Sequence, residues 1–199
     1  MSFPFFQRKK PEQIPQLEWS TSKYAALLID MQPFYLGFYK KGVQEGLFSA
    51  QKVVLQWCVQ ESIPVAVLEV NNDFFDGGRT VLCLQGEIDL VSTHLLLQKS
   101  TDDGFYNTSL DEQLQSWNVT DLIVMGINAS YCVKATSSTA LAKGYHLHTA
   151  RDLIADSFFW GTSFDWYEKN STLYQNSSEL ISGVRKSLAP PNLESRVDQ

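Results

Sequence analysis

Residues 126–144 read GINASYCVKATSSTALAKG, a glycine-led turn followed by an alanine-rich segment. Directly before them, residues 122–125 (LIVM) form a short apolar run, which is typical of a strand buried on both faces. After Cys132 the chain has neither proline nor glycine until Gly144, where a left-handed residue would end a helix. The sequence therefore predicts a strand, a short turn and a helix that starts at Cys132.

The predicted position of Cys132, at the start of a helix, favours a role for this residue as a nucleophile. The first turn of a helix presents unpaired N–H groups and the positive end of the helix dipole. This environment favours a thiolate, so we expect the pKa of the Cys132 thiol to be lowered. The same N–H groups can bind the oxyanion that forms when a carbonyl carbon is attacked. The alternative is a buried cysteine that acts as a small hydrophobic side chain.

Composition and charge limit the class of protein. The chain has 199 residues, a net charge of −6 at pH 7 and a pI near 5.0, which predicts one acidic globular domain. This charge argues against nucleic acids and anionic membranes as partners, and no apolar run is long enough to span a membrane. We expect a cytoplasmic protein, because the N-terminus lacks a signal-peptide pattern and the cysteines form no disulfide framework. The cysteines are Cys58, Cys83 and Cys132.

Hydrophobic periodicity divides the chain into an arm, one domain and a tail. Residues 1–20 form an arm rich in proline, glutamine and charge, residues 21–190 form the domain, and residues 191–199 form a polar tail. The predicted strands are residues 24–29, 64–70, 94–98, 122–125 and 145–149. The predicted helices are residues 43–61, 109–117, 133–143 and 178–188, the second opened by a capping box at Ser109 and Glu112. Residues 71–86 form a long connection, typical of a lid or binding loop.

Strands that alternate with helices predict an α/β fold, a three-layer doubly wound sandwich with a mainly parallel central sheet. Such sheets bind ligands beyond the carboxyl ends of their strands, near the point where strand order reverses. Three reactive side chains stand at predicted strand ends, namely Asp30, Lys99 and Cys132. A single charge at a strand end is usually solvated, but three such side chains at one edge predict an active site.

Four segments carry a recognisable family pattern. They are residues 28–32 (LIDMQ), Lys99 followed six residues later by Phe105, residues 108–110 (TSL), and the spacing of Gly126, Cys132, Val133, Thr136, Ala140, Gly144 and Tyr145. In this order the segments resemble the isochorismatase-like hydrolase superfamily, which includes nicotinamidases and N-carbamoylsarcosine amidohydrolase. The resemblance covers about residues 22–157 and implies the doubly wound fold.

The resemblance also implies a catalytic triad of Asp30, Lys99 and Cys132. Asp30 would take the thiol proton as general base, while Lys99 would hold Asp30 and stabilise the thiolate. Cys132 would attack an amide carbonyl and form a thioester, which a water activated by Asp30 would hydrolyse. The superfamily has a cis peptide before the cysteine, which corresponds here to the bond between Ile127 and Asn128. The N–H groups of Asn128 and Cys132 would form the oxyanion hole.

Departures from the family pattern predict a site without a metal or another cofactor. Nicotinamidases carry a metal-binding Asp-x-His after the second strand, whereas residues 71–75 read NNDFF here. His146 and His148 would point to one face of their strand and could suit a metal, but the neighbouring sequence offers no third ligand. True isochorismatases cleave a vinyl ether by acid catalysis and often lack the cysteine, so Cys132 favours hydrolysis of an amide.

The expected ligand is a small molecule bound where the triad meets, under a roof formed by residues 71–86. The predicted substrate-binding residues are Phe34, Tyr35, Asn71 and Arg79. Glu69 could also orient the substrate if it points inward. Arg79 could accept a single anionic group, so we expect neutral amides to react faster than dianionic rings such as isochorismate.

Three functions remain open at this point. The first is a metal-free cysteine hydrolase of a small amide or ureide, the second an isochorismatase-type vinyl-ether hydrolase, and the third a non-catalytic member that binds a ligand or partner. Exposed aromatic residues near the C-terminus would favour the third, because they mark interfaces. The alternative is that they pack over the sheet or within a homo-oligomer, which we expect. These residues are Phe158, Phe159, Trp160, Phe164, Trp166 and Tyr167.

Overall fold

A computed structural model of the chain describes residues 23–72, 75–156 and 161–188. The predicted arm and tail lie outside the described residues, as do Phe158, Phe159 and Trp160. The strands are β1 (Tyr24–Ile29), β2 (Val65–Asn72), β3 (Phe75–Asp76), β4 (His94–Lys99), β5 (Asp121–Ile127), β6 (His146–Ala150), β7 (Ile154–Ala155) and β8 (Thr172–Tyr174). The helices are α1 (Pro33–Leu36), α2 (Lys41–Glu61), α3 (Leu82–Ile88), α4 (Leu110–Ser116), α5 (Lys134–Ala142), α6 (Asp165–Asn170) and α7 (Ser177–Leu188). A π-helical turn, Ala129–Val133, precedes α5 and is called the π turn below.

The strands form one sheet in the order β4-β2-β1-β5-β6-β8, with β7 also beside β5. The strand pairs are parallel except that of β2 with the two-residue β3. From β1 the chain moves outward through β2 to β4 and then returns to β5 on the other side of β1. Strand order therefore reverses between β1 and β5, and the predicted doubly wound, mainly parallel sheet is confirmed.

Alternate side chains of the central strand β1 pack into two cores, one on each face of the sheet. Ala26 and Leu28 belong to the core beneath α2, α3 and α7. Ala25, Leu27 and Ile29 belong to the core beneath α4 and α5. Because helices cover both faces, the strand reads as a continuous apolar run rather than an alternating one. Within the described ranges, no helix has the length and apolar character needed to cross a membrane.

The helix after the π turn ends as predicted, at a left-handed glycine. Gly144 has a φ of 93°. Its N–H donates to Leu141 O at 2.9 Å, and the Tyr145 N–H donates to Ala140 O at 3.0 Å. These two bonds form a Schellman motif, which satisfies carbonyl groups that the end of α5 would otherwise leave unpaired.

The first turn of α4 is capped by a different residue from the one that the sequence indicates. Ser109 occupies the cap position, but its side chain makes no capping hydrogen bond with the described residues. Instead, Thr108 Oγ1 accepts a hydrogen bond from the Leu110 N–H at 3.3 Å and donates one to Gly104 O at 2.6 Å. The predicted capping box is therefore wrong, because Thr108 ties the helix start to the preceding loop.

The predicted long connection at residues 71–86 is largely regular structure. β2 continues to Asn72, β3 pairs with its end, and α3 begins at Leu82. Leu84 and Ile88 are buried in the core, so α3 covers the sheet. A seven-residue helix shows too few turns for its apolar period to be recognised in the sequence.

The described part of the aromatic C-terminal region packs against the sheet. Tyr167 is buried in the second core, and Phe164 and Trp166 are partly buried against the same core. This arrangement agrees with the alternative in which these residues cover the sheet.

Candidate active site

Three strands bring the predicted catalytic side chains to the carboxyl edge of the sheet. Asp30 directly follows β1 and has a φ of 55°. Lys99 is the last residue of β4, and Cys132 lies in the π turn after β5. Since β1 and β5 flank the reversal of strand order, these side chains meet where doubly wound sheets bind ligands.

The Lys99 ammonium and the Asp30 carboxylate form a buried ion pair. Lys99 Nζ lies 2.9 Å from Asp30 Oδ2 and also donates a hydrogen bond to Thr101 O at 3.1 Å. The lysine side chain reaches past β2, which separates β4 from β1. Only 0% and 2% of the two side chains are exposed. Removing one charge would leave the other buried without compensation, at a cost of about 3–5 kcal/mol.

The second carboxylate oxygen of Asp30 is available as a proton acceptor. Asp30 Oδ1 is buried and receives no hydrogen bond from the part of the chain that the structure describes. Burial raises the pKa of Asp30 above its ordinary value, and the positive charge of Lys99 opposes this shift. A carboxylate with a raised pKa is a better general base near neutral pH than an ordinary aspartate.

The Cys132 thiol faces two carboxylates. Its Sγ donates a hydrogen bond to Asp102 Oδ1 at 3.4 Å, and the residue is 7% exposed. Burial raises the pKa of Cys132, and the negative charges of Asp30 and Asp102 raise it further, although Lys99 opposes them. The predicted lowering of this pKa is therefore wrong. The thiol is buried beside acidic groups in the π turn, so it keeps its proton at rest.

The turn that carries Cys132 depends on a glycine. Gly126 has a φ of 141°, and a Cβ atom there would collide with the backbone of Ile29 in β1. Glycine is therefore needed for β5 to approach β1 at this point. The peptide bond between Ile127 and Asn128 is cis, at the position that the family resemblance implies.

Three side chains that the sequence analysis did not assign to the site hold this turn. Asp156 accepts hydrogen bonds from the Ser130 N–H and hydroxyl, at 2.7 and 2.6 Å. The other two contacts are the Tyr39 hydroxyl to Asn128 Oδ1 and the Tyr167 hydroxyl to Ala129 O. The partners lie 26 to 89 residues apart in the chain, so no local sequence signal identifies them.

Gln32, the last residue of the 28–32 segment (LIDMQ), has a structural role. Its buried side chain donates hydrogen bonds to Val70 O and Gly78 O, and its Oε1 accepts one from the Val70 N–H at 2.8 Å. These bonds join the segment after β1 to the end of β2 and to the connection before α3. Gln32 thereby fixes the backbone beside Asp30.

A cavity of about 320 Å³ lies beside the Cys132 thiol. Its described lining residues are Phe34, Tyr35, Val70, Ser100, Thr101, Asp102, Asn128, Tyr131 and Cys132. The structure thus brings Phe34 and Tyr35 to the cavity, as the sequence analysis expects. Burial and the charge of Asp30 raise the pKa of Tyr35 to about 12, so its hydroxyl remains protonated and can donate a hydrogen bond.

Asn71 and Arg79, which the sequence analysis predicts to bind substrate, are absent from the described cavity lining. Asn71 Nδ2 donates to Gln98 Oε1 at 3.1 Å on the exposed surface. Arg79 Nε lies 3.1 Å from Glu69 Oε2 in an ion pair. Glu69 is buried and also accepts hydrogen bonds from the Thr80 N–H and hydroxyl, at 2.7 and 2.9 Å. These partners hold the side chain of Glu69, a residue of β2, against the loop before α3.

The histidines considered as metal ligands lie at the opposite edge of the sheet. His148 Nε2 lies 3.0 Å from Asp121 Oδ1, and His146 Nδ1 lies 3.7 Å from Asp121 Oδ2. Asp121 begins β5 and His146 begins β6, which places this group at the amino ends of the strands. Among the residues that the structure describes, no three His, Cys, Asp or Glu side chains are arranged to hold a metal.

Sequence comparisons match most of the predicted domain and, separately, a shorter part of the chain. An isochorismatase domain model matches residues 24–166. The streptothricin hydrolase of Streptomyces noursei is 39% identical over 60 residues, which cover 30% of this chain. That alignment spans 24% of the length of the curated relative.

Solved structures share the fold over most of the chain. The N-carbamoylsarcosine amidase of Thermoplasma acidophilum superposes with a TM-score of 0.64 and 21% identity, covering 79% of this chain and 98% of the other. The MAR1 ribonuclease of Caenorhabditis elegans superposes with a TM-score of 0.69 and 18% identity, covering 87% of both chains. At these identities the likeness shows a common fold, on which different chemistries are found.

Proposed function

The chain belongs to the isochorismatase family of hydrolases, and we propose that it is a cysteine hydrolase that cleaves a small amide or a related C–N bond. The observation that carries the proposal is the arrangement of Asp30 Oδ1 and the Cys132 thiol. A buried carboxylate oxygen without a donor among the described residues stands at the same sheet edge as a protonated thiol beside a cavity. The amidase among the structures that share the fold agrees with this choice of bond.

The first half of the reaction forms a thioester. As Sγ of Cys132 bonds to the carbonyl carbon, Asp30 Oδ1 takes the thiol proton and the carbonyl π electrons move to oxygen. The N–H groups of Asn128 and Cys132 are proposed to bind that oxyanion. When the tetrahedral intermediate collapses, the C–N bond breaks, and Asp30 returns the proton to the leaving nitrogen.

The second half of the reaction releases the acid. Asp30 takes a proton from a water molecule as the water oxygen attacks the thioester carbon. The C–S bond then breaks, and Asp30 passes the proton to the Cys132 sulfur. Lys99 stabilises the Asp30 carboxylate, because the two charges are 2.9 Å apart and buried.

The proposal is tested by comparing Cys132→Ala with Cys83→Ala in a panel of small amides, with ammonia release as the readout. Cys83 is an exposed cysteine on α3, so its replacement controls for loss of a thiol elsewhere. We expect Cys132→Ala to lower kcat by about 10³-fold or more and Cys83→Ala to leave it unchanged. An acyl adduct on Cys132, seen by mass spectrometry after acid quenching, would identify the thioester. Full activity in Cys132→Ala would refute the mechanism.

A further inference from the structure

Asp102 gives the cavity a negative charge next to the nucleophile. It is the one Asp, Glu, Lys or Arg among the lining residues that the structure describes. Its Oδ1 accepts the Cys132 thiol hydrogen bond at 3.4 Å. In the described ranges, Asp102 forms no ion pair. Its charge is therefore available to a ligand in the cavity.

The nearby cationic side chains form ion pairs with carboxylates other than that of Asp102. Lys99 lies 2.9 Å from Asp30, and these two buried charges offset each other. Arg79 pairs with Glu69 outside the cavity lining. The described walls include one carboxylate and three aromatic rings, those of Phe34, Tyr35 and Tyr131. Aromatic faces and a carboxylate both favour a positively charged ligand group over a negative one.

The loop that carries Asp102 is fixed to α5. Thr136 Oγ1 accepts a hydrogen bond from the Gly104 N–H at 2.9 Å and donates one to Asp102 O at 3.3 Å. The neighbouring Asp103 accepts a hydrogen bond from the Thr139 hydroxyl at 2.8 Å. Because α5 follows directly from the π turn, the same element positions both the nucleophile and the carboxylate beside it. Such a preorganised charge is typical of a recognition group.

We propose that the substrate is an amide that carries a cationic nitrogen, an ammonium or guanidinium, and that Asp102 binds this nitrogen. The inference rests on the proposed function and names the substrate class of the same site. An ammonium nitrogen about 2.8 Å from Asp102 Oδ1 would lie within about 6 Å of Sγ, because that oxygen is 3.4 Å from the sulfur. The cation therefore stands only a few bonds from the carbonyl that is cleaved.

The test compares two amides of equal length, β-alaninamide with its terminal ammonium and butanamide with a methyl group in its place. The measured quantity is the ratio of kcat/KM for the cationic amide to that for the neutral one. We expect wild type to favour β-alaninamide by about 10-fold or more, as one charge-assisted hydrogen bond provides. We expect Asp102→Asn to lose most of this preference.

A matched control separates local from general charge effects. Asp89→Asn removes one negative charge at the end of α3, away from the described cavity lining, and should leave the ratio unchanged. A loss of preference in Asp89→Asn equal to that in Asp102→Asn would overturn the proposal. An equal slowing of both amides in Asp102→Asn would overturn it too, because it would make Asp102 a proton acceptor for the thiol.

Binding measurements keep this inference apart from the proposed function. Cys132→Ala lacks the nucleophile, so calorimetry can give the Kd of both amides without turnover. In Cys132→Ala we expect β-alaninamide to bind more tightly than butanamide, and the added substitution Asp102→Asn to abolish or reverse this difference. That result would support the cationic ligand even if wild type hydrolyses neither amide. Equal Kd values would refute the cationic ligand even if wild type hydrolyses both.

Discussion

At the scale of single residues, the chemistry of the site depends on which of Asp30 and Cys132 carries a proton. The Asp30 carboxylate is held by Lys99 through one oxygen, and its other oxygen has no hydrogen-bond donor among the described residues. The Cys132 thiol keeps its proton because burial and two acidic neighbours raise its pKa. In the proposed mechanism, proton transfer from Cys132 to Asp30 therefore accompanies attack on the substrate and does not precede it.

This arrangement predicts the acidic side of the pH profile. Asp30 must be ionised to accept a proton, and burial raises its pKa, so kcat/KM should fall on acidification at a higher pH than an ordinary aspartate allows. Lys99→Met removes the positive charge that lowers this pKa, so the fall should move to still higher pH. The measurement is kcat/KM against pH for the amide that wild type hydrolyses.

The control for this experiment is Lys143→Met. Lys143 pairs with Asp111 at the end of α5 and has no contact with Asp30, so its loss should leave the pH profile in place. A profile that stays unchanged in Lys99→Met would contradict the assignment of Asp30 as the titrating base.

At the scale of elements, the close approach of β1 and β5 sets the position of the nucleophile. Residues of β1 pair with β5 from Tyr24–Asp121 to Ile29–Gly126, so the last pair lies directly before Asp30 and the turn. Gly126 permits this approach, and Gln32 fixes the segment after β1 against β2. The packing of these two strands therefore places Asp30 and the π turn at the same edge of the sheet.

Gly126→Ala tests that placement. The added methyl group would collide with the Ile29 backbone and would occupy a φ of 141°, so we expect a loss of about 3 kcal/mol or more in the free energy of unfolding. Gly46→Ala in α2 is the matched control, since a Cβ there meets nothing within 4 Å. It should raise stability by about 0.5–1 kcal/mol. Urea denaturation measures both, and equal stabilities would contradict the packing argument.

At the scale of the whole molecule, the sequence predicts what local patterns determine. Apolar runs that end in a charged residue correctly predicted that Asp30 and Lys99 lie at the ends of strands. The glycine after the alanine-rich segment correctly predicted the end of α5. The raised pKa of Cys132 was not predictable, because its main cause is burial of the thiol in the folded chain, to which the charges of Asp30 and Asp102 add. The ion pair between Arg79 and Glu69 is likewise a tertiary contact that no local sequence pattern indicates.

The separation of the catalytic groups along the chain has a practical consequence. Asp30 and Lys99 are 69 residues apart, and the loop of Asp102 lies 30 residues before Cys132. Cutting the chain at the exposed residues 106–107, before α4, would leave the ion pair in one piece and the nucleophile in the other. We expect both pieces to be inactive alone and to regain amide hydrolysis only when fused partners bring them together, because β5 must pair with β1 to complete the site. The protein would then serve as a split enzyme whose ammonia release reports that two fused partners have met, and activity in a lone piece would contradict this.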